Sequence, residues 1–404
     1  MAGCILGVVL AFLIRLADGS DAVPRHDLLA IDADAARDLL GAVAGGTATM
    51  MTLTYTLTLL IFTLAAGQLG PRLLDSFYDN RVNQITITVI GSTFVFALVS
   101  LWLVRDGHEA GLATGLATIL SLLSVMTLIY FVHDVARRVL IDNEIALTAK
   151  RLRMAIEAAF RSPETDPQGT ATLPERDPGA AQIVLARDTG YLRSIEIDEL
   201  VRELAKHDAA VEILVAPGEY MIERMPVALV QRAGTVEDWA RLLDARLALG
   251  RSRSSEGDIL FSVNLLVEIA LRALSPGVND SYTAVCAVDH LSGAFGELLR
   301  RKPASPIYLD DDGIARVTAT VLTVDEIVDT AFHPIRRNAA GNILVSCAMI
   351  DAIRRLIAVS DAEHVPMLRH HADLIGRNAL PETATDADRG YLDTRLLTVL
   401  GETG

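Results

Sequence analysis

The chain has little of what most function classes require. Its three cysteines, Cys4, Cys286 and Cys347, stand far apart in 404 residues. None has C-x-x-C spacing, which fits thiols used as small core residues in a reduced compartment and offers no disulfide framework. Lys plus Arg number 36 against 51 Asp plus Glu, a formal net charge of −15. No basic stripe is present to neutralise phosphates, which argues against nucleic acid as a partner. The Walker loop, the G-x-S-x-G elbow, H-E-x-x-H and the Gly-rich dinucleotide fingerprint are all missing, so no motif carries an enzymatic reading and no cofactor is expected. Finally, no Asp, Glu, Lys or Arg interrupts residues 40–66, 85–104 or 110–132.

That last absence is the most informative. A bilayer core is crossed by about 20 consecutive apolar residues in a helix, and all three runs reach that length. Residues 5–16 form a shorter apolar stub. The basic n-region of a signal peptide is missing from it, because residues 1–7 hold neither Lys nor Arg. The stub is read as a first span shortened by a late start-codon assignment. Composition agrees, with 51% hydrophobic residues and a mean hydropathy of +0.35. The expected fold is an N-terminal α-helical transmembrane bundle of four spans, the first one short, plus a mostly helical cytoplasmic α+β domain.

Orientation follows from basic residues in short loops. Residues 15–41 carry Arg15, Arg25 and Arg37 against Asp18, Asp21, Asp27, Asp32, Asp34 and Asp38. Arg137, Arg138, Lys150, Arg151 and Arg153 follow the last span. The reading places residues 136–404 and the 67–83 loop in the cytoplasm, with 15–41 and 105–109 outside. Four spans then bring both termini inside, in a multi-pass protein whose first partner is the lipid bilayer.

Along the chain, residues 1–135 are the transmembrane four-helix region and 136–161 a juxtamembrane stalk helix. Basic side chains of the stalk can lie along anionic headgroups, each worth about 1 kcal/mol. Residues 162–181 are a linker broken by Pro163, Pro167, Gly169, Pro174, Pro178 and Gly179. A small mixed α/β segment occupies 182–235, with strands at 182–186, 211–216 and 227–231 and a helix at 197–206. Residues 236–404 read as a helical cytoplasmic domain, with helices at 236–249, 259–274, 281–301, 324–337, 343–359, 362–378 and 389–399. Thr323-x-x-Glu326 is a capping box, Asn342 and Asp361 are N-caps, and Pro334 predicts a kink or break. The 259–274 helix is apolar nearly all round and belongs at the buried centre.

Two places could carry function. In the second span, threonine recurs through Thr47, Thr49, Thr52, Thr54, Thr56 and Thr58. Either the hydroxyls bond their own backbone in a tightly packed helix, or Thr52, Thr54 and Thr58 line a polar pathway closed by Gln68. The second place is the joint at residues 266–285, where Ser275-Pro276-Gly277 stops one helix and Asn279-Asp280-Ser281 starts another. Asp280 is placed to cap exposed amides. Arg272 can pair with Glu268 at i,i+4, or reach Asp280 or Asp289. Arg272, Ser275, Pro276, Gly277, Asn279, Asp280, Thr283, Asp289 and Arg336 are the candidate ligand or partner residues. The plainer alternative is a helix–turn–helix joint whose polar groups satisfy its own backbone. His364, His370 and His371 invite a metal reading, but His364 and His371 lie two turns apart, too far for a zinc helix. They read as a solvated helix face, and no metal site is expected. Asp310-Asp311-Asp312-Gly313 lacks the ligand alternation of an EF-hand and reads as a turn between strands.

The joint, Leu266-Val267-Glu268 through Ser275-Pro276-Gly277-Val278-Asn279-Asp280 to Thr283-Ala284-Val285, resembles the signature of a bacterial membrane-protein family catalogued as domain of unknown function 2254. Gly67-Gln68-Leu69-Gly70-Pro71-Arg72, Asp188-Thr189-Gly190-Tyr191-Leu192, Pro217-Gly218-Glu219-Tyr220, Leu249-Gly250-Arg251 and Ala331-Phe332-His333-Pro334-Ile335-Arg336 resemble further landmarks of that family, in its order, across roughly residues 40–340. The short first span departs from the pattern, as does Ser281 where the family usually has Pro. The resemblance implies four spans in a bacterial plasma (inner) membrane and a cytoplasmic domain, and no activity. Two non-enzymatic classes stand. One is an oligomeric channel-like or passive transport protein with a regulatory cytoplasmic domain. The other is a membrane-anchored scaffold or sensor for a cytoplasmic partner or ligand.

Overall fold

The computed structural model describes residues 2–18, 31–68, 81–104, 111–138, 141–161, 181–232, 239–253, 258–303 and 305–401. The chain divides into two compact units, Met1–Asn143 and Glu144–Gly404. The expected linker at 162–181 lies almost wholly outside the described residues.

The first unit is four helices: α1 (Ala2–Asp18), α2 (Ala33–Gln68), α3 (Arg81–Leu103) and α4 (Gly111–Arg138). Hydrocarbon offers backbone amides no water, so a segment that crosses it must satisfy its own hydrogen bonds, as a helix does. Three stretches, Ala33–Thr63, Arg81–Leu103 and Gly111–Val135, are long and apolar enough to cross a membrane; the apolar part of α1, Ile5–Ile14, is shorter. Helix α3 is the hub, with α1, α2 and α4 each lying against it. Ala11, Leu40, Phe96 and Ala117 form the centre. Leu59, Trp102, Ile119, Leu122, Met126 and Ile129 point outward, an apolar surface suited to lipid and unsuited to water.

The short α1 is held by close backbone approach. A Cβ at Gly7 would lie 2.6 Å from the Ser92 carbonyl oxygen, and one at Gly3 would lie 2.9 Å from that of Thr88. Gly3-Cys4-Ile5-Leu6-Gly7 is a G-x-x-x-G motif, used here within one chain to let two helices touch. Gly7→Leu should prise α1 from α3 and destabilise the bundle by about 1–3 kcal/mol, read as a lower melting midpoint in detergent. Gly41→Leu, where a Cβ meets nothing within 4 Å, should leave the midpoint unchanged.

In the second unit, α5 (Ile141–Ala159) buries Ile145, Thr148, Ala149, Leu152 and Ile156 along one face. The helix expected as a stalk therefore carries one buried face. It runs into β1 (Phe160–Arg161), which pairs with β8 (Lys302–Pro303), and Arg301 donates to the Phe160 carbonyl at 3.3 Å.

The mixed region holds β2 (Ala181–Leu185), β3 (Gly190–Ile195), α6 (Ile197–Lys206), β4 (Ala209–Ile213), β5 (Tyr220–Met221), β6 (Pro226–Arg232), α7 (Trp239–Asp244) and β7 (Leu247–Gly250). Two further strands, β9 (Ile307–Leu309) and β10 (Ala315–Thr318), flank the acidic run that reads as a turn between strands. They complete a five-stranded sheet of order β2-β6-β4-β10-β9, in which β10 runs parallel to β4. A three-stranded sheet, β5-β3-β7, accompanies it. Val184, Val211, Ile213, Val230 and Val317 from the larger sheet close over Leu200, Leu204 and Trp239. The expected 236–249 helix is only α7, because Leu247 to Gly250 pair with β3; the partner strand overrides local preference.

The acidic run is the turn between β9 and β10. Asp310 Oδ1 accepts from the amides of Asp312 and Ile314 at 3.1 and 2.8 Å, and Oδ2 accepts from Arg316 Nε at 2.7 Å. Arg316 also reaches Asp208 Oδ1 at 3.1 Å. These bonds hold the Asp310 carboxyl below its usual range, Arg316 first among them.

The helical layer is α8 (Ile259–Ala273), α9 (Ser281–Leu298), α10 (Val324–Asn338), α11 (Ile343–Val359), α12 (Val365–Ala379) and α13 (Asp386–Leu400). As the apolar pattern requires, α8 is buried along most of its length, against α9 and α10. Helix α11 lies against α9, α12 and α13, and α10 meets α12. The Thr323–Glu326 capping box is present. Helix α10 runs unbroken through Pro334; the burial of Phe332, Ile335 and Arg336 around it offsets the one amide that proline cannot supply.

Candidate functional site

The α8–α9 joint is built from its own backbone. The Ala273 carbonyl accepts from the Asp280 amide at 2.8 Å, and the Ser275 carbonyl from Val278 and Asn279 at 3.0 and 2.9 Å. Ser275 Oγ donates to the Arg272 carbonyl at 2.6 Å. Asn279 takes a left-handed φ of 50°, a conformation asparagine tolerates better than most residues. Asp280 caps α9, accepting from the Thr283 amide at 3.1 Å and from Thr283 Oγ1 at 2.6 Å. Those two bonds draw its carboxyl below the ordinary value, the hydroxyl contributing most. Ser281 Oγ accepts from Asn342 Nδ2 at 2.6 Å, and Asn342 in turn caps α11. One polar chain thus ties the starts of α9 and α11. Asp280→Ala should cost about 1–2 kcal/mol, whereas Asn279→Gly should be nearly neutral because glycine accepts the same φ. Thermal melting of the full chain followed by circular dichroism checks both.

The other sequence candidates do not all converge there. Arg272, Ser275, Pro276, Gly277, Asn279, Asp280 and Thr283 share the joint. Asp289 lies further along α9, paired with Arg355 of α11. Both border an open groove of about 470 Å³ between the two helices, lined also by Ser292, Gly293, Gly296 and Val359. Arg336 stands elsewhere, on α10, where it donates to Asn378 Oδ1 of α12.

In α2, all seven threonine hydroxyls donate to the carbonyl four residues back, from Thr47 to Val43 through Thr63 to Leu59. Thr54 is fully buried; Thr58 is half-buried, with Asn83 Oδ1 at 3.4 Å. Thr52 is exposed on the opposite face, in line with Thr49 and Thr56. The three threonines considered for a pathway therefore do not share a wall. The Gln68 side chain lies outside the described residues.

A second polar cluster, between α10 and α12, departs from the expectation. Asp329 and His333 are one turn apart on α10, and His371 faces them from α12. His371 Nε2 lies 3.0 Å from Asp329 Oδ1, and His333 Nε2 lies 3.3 Å from the same oxygen. His371 is only 1% exposed, so it is not on a solvated face. It follows the buried stripe Leu368, His371, Ala372, Ile375, Gly376 and Ala379, a 3.6-residue period that was readable in the sequence. The His371 ring stacks obliquely on Phe332, with centroids 5.3 Å apart. Burial pushes the imidazole down to about 4, against the pull of Asp329, so it is neutral at neutral pH. Arg336 Nη2 is 3.3 Å from His333 Nδ1. His370 is exposed and His364 sits beside Glu363, so the other two histidines do not join the cluster.

With this geometry in place, comparison with known proteins gives a consistent answer. The family described as predicted membrane protein (DUF2254) matches residues 1–355. An uncharacterized protein of Mycobacterium bovis is 26% identical over 370 residues, covering 88% of this chain and 70% of its own. One from Mycobacterium tuberculosis strain H37Rv is similar to the same extent, 26% over 370 residues. No solved structure matches. The chain belongs to the DUF2254 family of predicted membrane proteins.

Proposed function

We propose that this member of the DUF2254 family is a membrane-anchored binding module. Its apolar helices hold it in a bacterial plasma membrane, and its second unit works in the cytoplasm as a scaffold or sensor. The observation that carries this reading is the state of the α2 hydroxyls. Each already donates to its own helix, and Thr54 and Thr58 turn away from the face that carries Thr52. No ionisable residue lies within the three apolar runs, where coupled transport usually places one. Polar chemistry is gathered instead in the second unit, at the α8–α9–α11 joint and between α10 and α12. The basic residues that follow the last span support the cytoplasmic placement.

One observation favours a second reading. Gly45, Thr49, Thr52 and Thr56 form an exposed small and hydroxylated face on α2, which could pair with other copies or line an oligomeric pore. Flux through the purified protein in liposomes separates the two. The binding-module reading expects no ion flux above empty vesicles, and single cysteines at Thr49, Thr52 and Thr56, in a background without the native cysteines, inert to a charged aqueous thiol reagent. Flux abolished by Thr52→Leu would establish the pore and sink the binding module.

A further inference from the structure

We propose that Asp329, His333 and His371 form a binding site for one divalent first-row transition-metal ion, clamping α10 to α12. The inference stands on this cluster's own geometry and does not require the binding-module reading.

Three donor atoms, one from each residue, lie within 4.8 Å of one another. An ion about 2.0–2.2 Å from each ligand in a tetrahedral shell holds those ligands about 3.3 Å apart. The separations from Asp329 Oδ1, 3.3 Å to His333 Nε2 and 3.0 Å to His371 Nε2, already approximate that spacing. Asp329 and His333 are one turn apart on α10, and α12 supplies the third ligand, so closing the His333–His371 separation from within 4.8 Å completes the shell. Two imidazole nitrogens and one carboxylate oxygen suit zinc, iron, cobalt or nickel, whereas magnesium and calcium prefer all-oxygen shells.

A second observation points the same way. Although His371 is 1% exposed, its Nδ1 has no hydrogen-bond partner, and its Nε2, 3.0 Å from Asp329 Oδ1, makes no bond of good angle there; poorly satisfied buried polar groups are costly. Its Nε2 aims at the point where the other two donors converge. The opposite side is open: the side chains of Asp329 and His333 are 49% and 32% exposed, which leaves a path for the ion and room for a water as fourth ligand.

Loading has a defined proton balance. Where Arg336 Nη2 donates to His333 Nδ1, the ring N–H is on Nε2, facing Asp329. An ion bound at Nε2 takes the ring as its Nδ1–H tautomer: solvent accepts the Nε2 proton and returns one to Nδ1, while Arg336 settles on Asn378 Oδ1. Arg336 touches the ring edge away from the ion, and its partner Asn378 is on α12, so the same two helices are tied a second time.

The test uses the full chain, purified in detergent and stripped with a chelator. Zinc is titrated by calorimetry and cobalt by visible absorption. Expected are one saturable equivalent of zinc, cobalt bands of a four- or five-coordinate site, and a raised melting midpoint on zinc addition. Magnesium and calcium should do none of these. Asp329→Asn and His333→Gln, at half-exposed positions, should melt like the parent without metal and bind zinc about tenfold or more weakly. Should a variant fold poorly when stripped, the cobalt spectrum of the parent decides, since one nitrogen-rich site has a distinct band pattern. The absence of saturable binding by the parent would overturn the site, and so would zinc affinity left unchanged by both variants.

Discussion

A polar backbone group away from water must find a partner within the protein, and the two units meet that demand with different side chains. In α2 the hydroxyl ladder from Thr47 to Thr63 doubles up on carbonyls already in the helix, which makes a threonine-rich helix compatible with apolar surroundings. In the second unit the exposed amides at helix starts are met by Asp258, Asp280, Thr323, Asn342 and Thr385, which cap α8, α9, α10, α11 and α13. Asp258 goes further, taking a two-pronged contact from Arg253 at 2.8 and 2.9 Å while it caps α8. Helix ends inside a core are tolerable only with such partners, so the packing of α8 under α9 and α10 depends on them.

The same demand shapes the joint. Asn279 and Asp280 look like chemistry in a sequence because they stand beside Pro276-Gly277 at a helix start, whose free amides also suit anions. Their bonds run to Ser275, Ala273 and Thr283, and through Ser281 to Asn342. Those contacts fix how α8 hands over to α9 and how α9 meets α11. Serine at 281 supplies the hydroxyl that receives Asn342; a proline there could not.

Helices with local signals were legible from sequence. Residues 197–206 and 343–359 emerge with the expected bounds, because each carries its apolar stripe within the element and the second has Asn342 as its cap. What was not legible depends on distant partners. The turn at 310–313 implied strands on either side, but not that β10 would pair with β4 in a sheet begun a hundred residues earlier, and Leu247 to Gly250 became a strand only because β3 offered an edge. The G-x-x-x-G of α1 was present in the letters, yet its partner, the α3 backbone at Thr88 and Ser92, was not. His371 was misjudged for a different reason. Its spacing to His364 points to a solvated face, while its place on the stripe of Leu368 and Ile375 puts it inside.

Where buried polar groups go unanswered then becomes informative. Among the described residues, the buried side-chain atoms without a partner are mostly single hydroxyls, at Thr86, Ser100, Thr148, Ser262 and Thr318. A hydroxyl costs little to leave so, because it can rotate toward a neighbouring carbonyl. Glu297 Oε2 stands alone on α9, whereas the nitrogens of His371 and Arg336 Nε sit together between α10 and α12, with His371 Nε2 3.0 Å from Asp329 Oδ1. An apolar residue in place of His371 would fill the stripe without that penalty. Keeping an imidazole there, aimed at a half-exposed carboxylate and a second imidazole, makes physical sense if something occupies their common focus for part of the protein's working life.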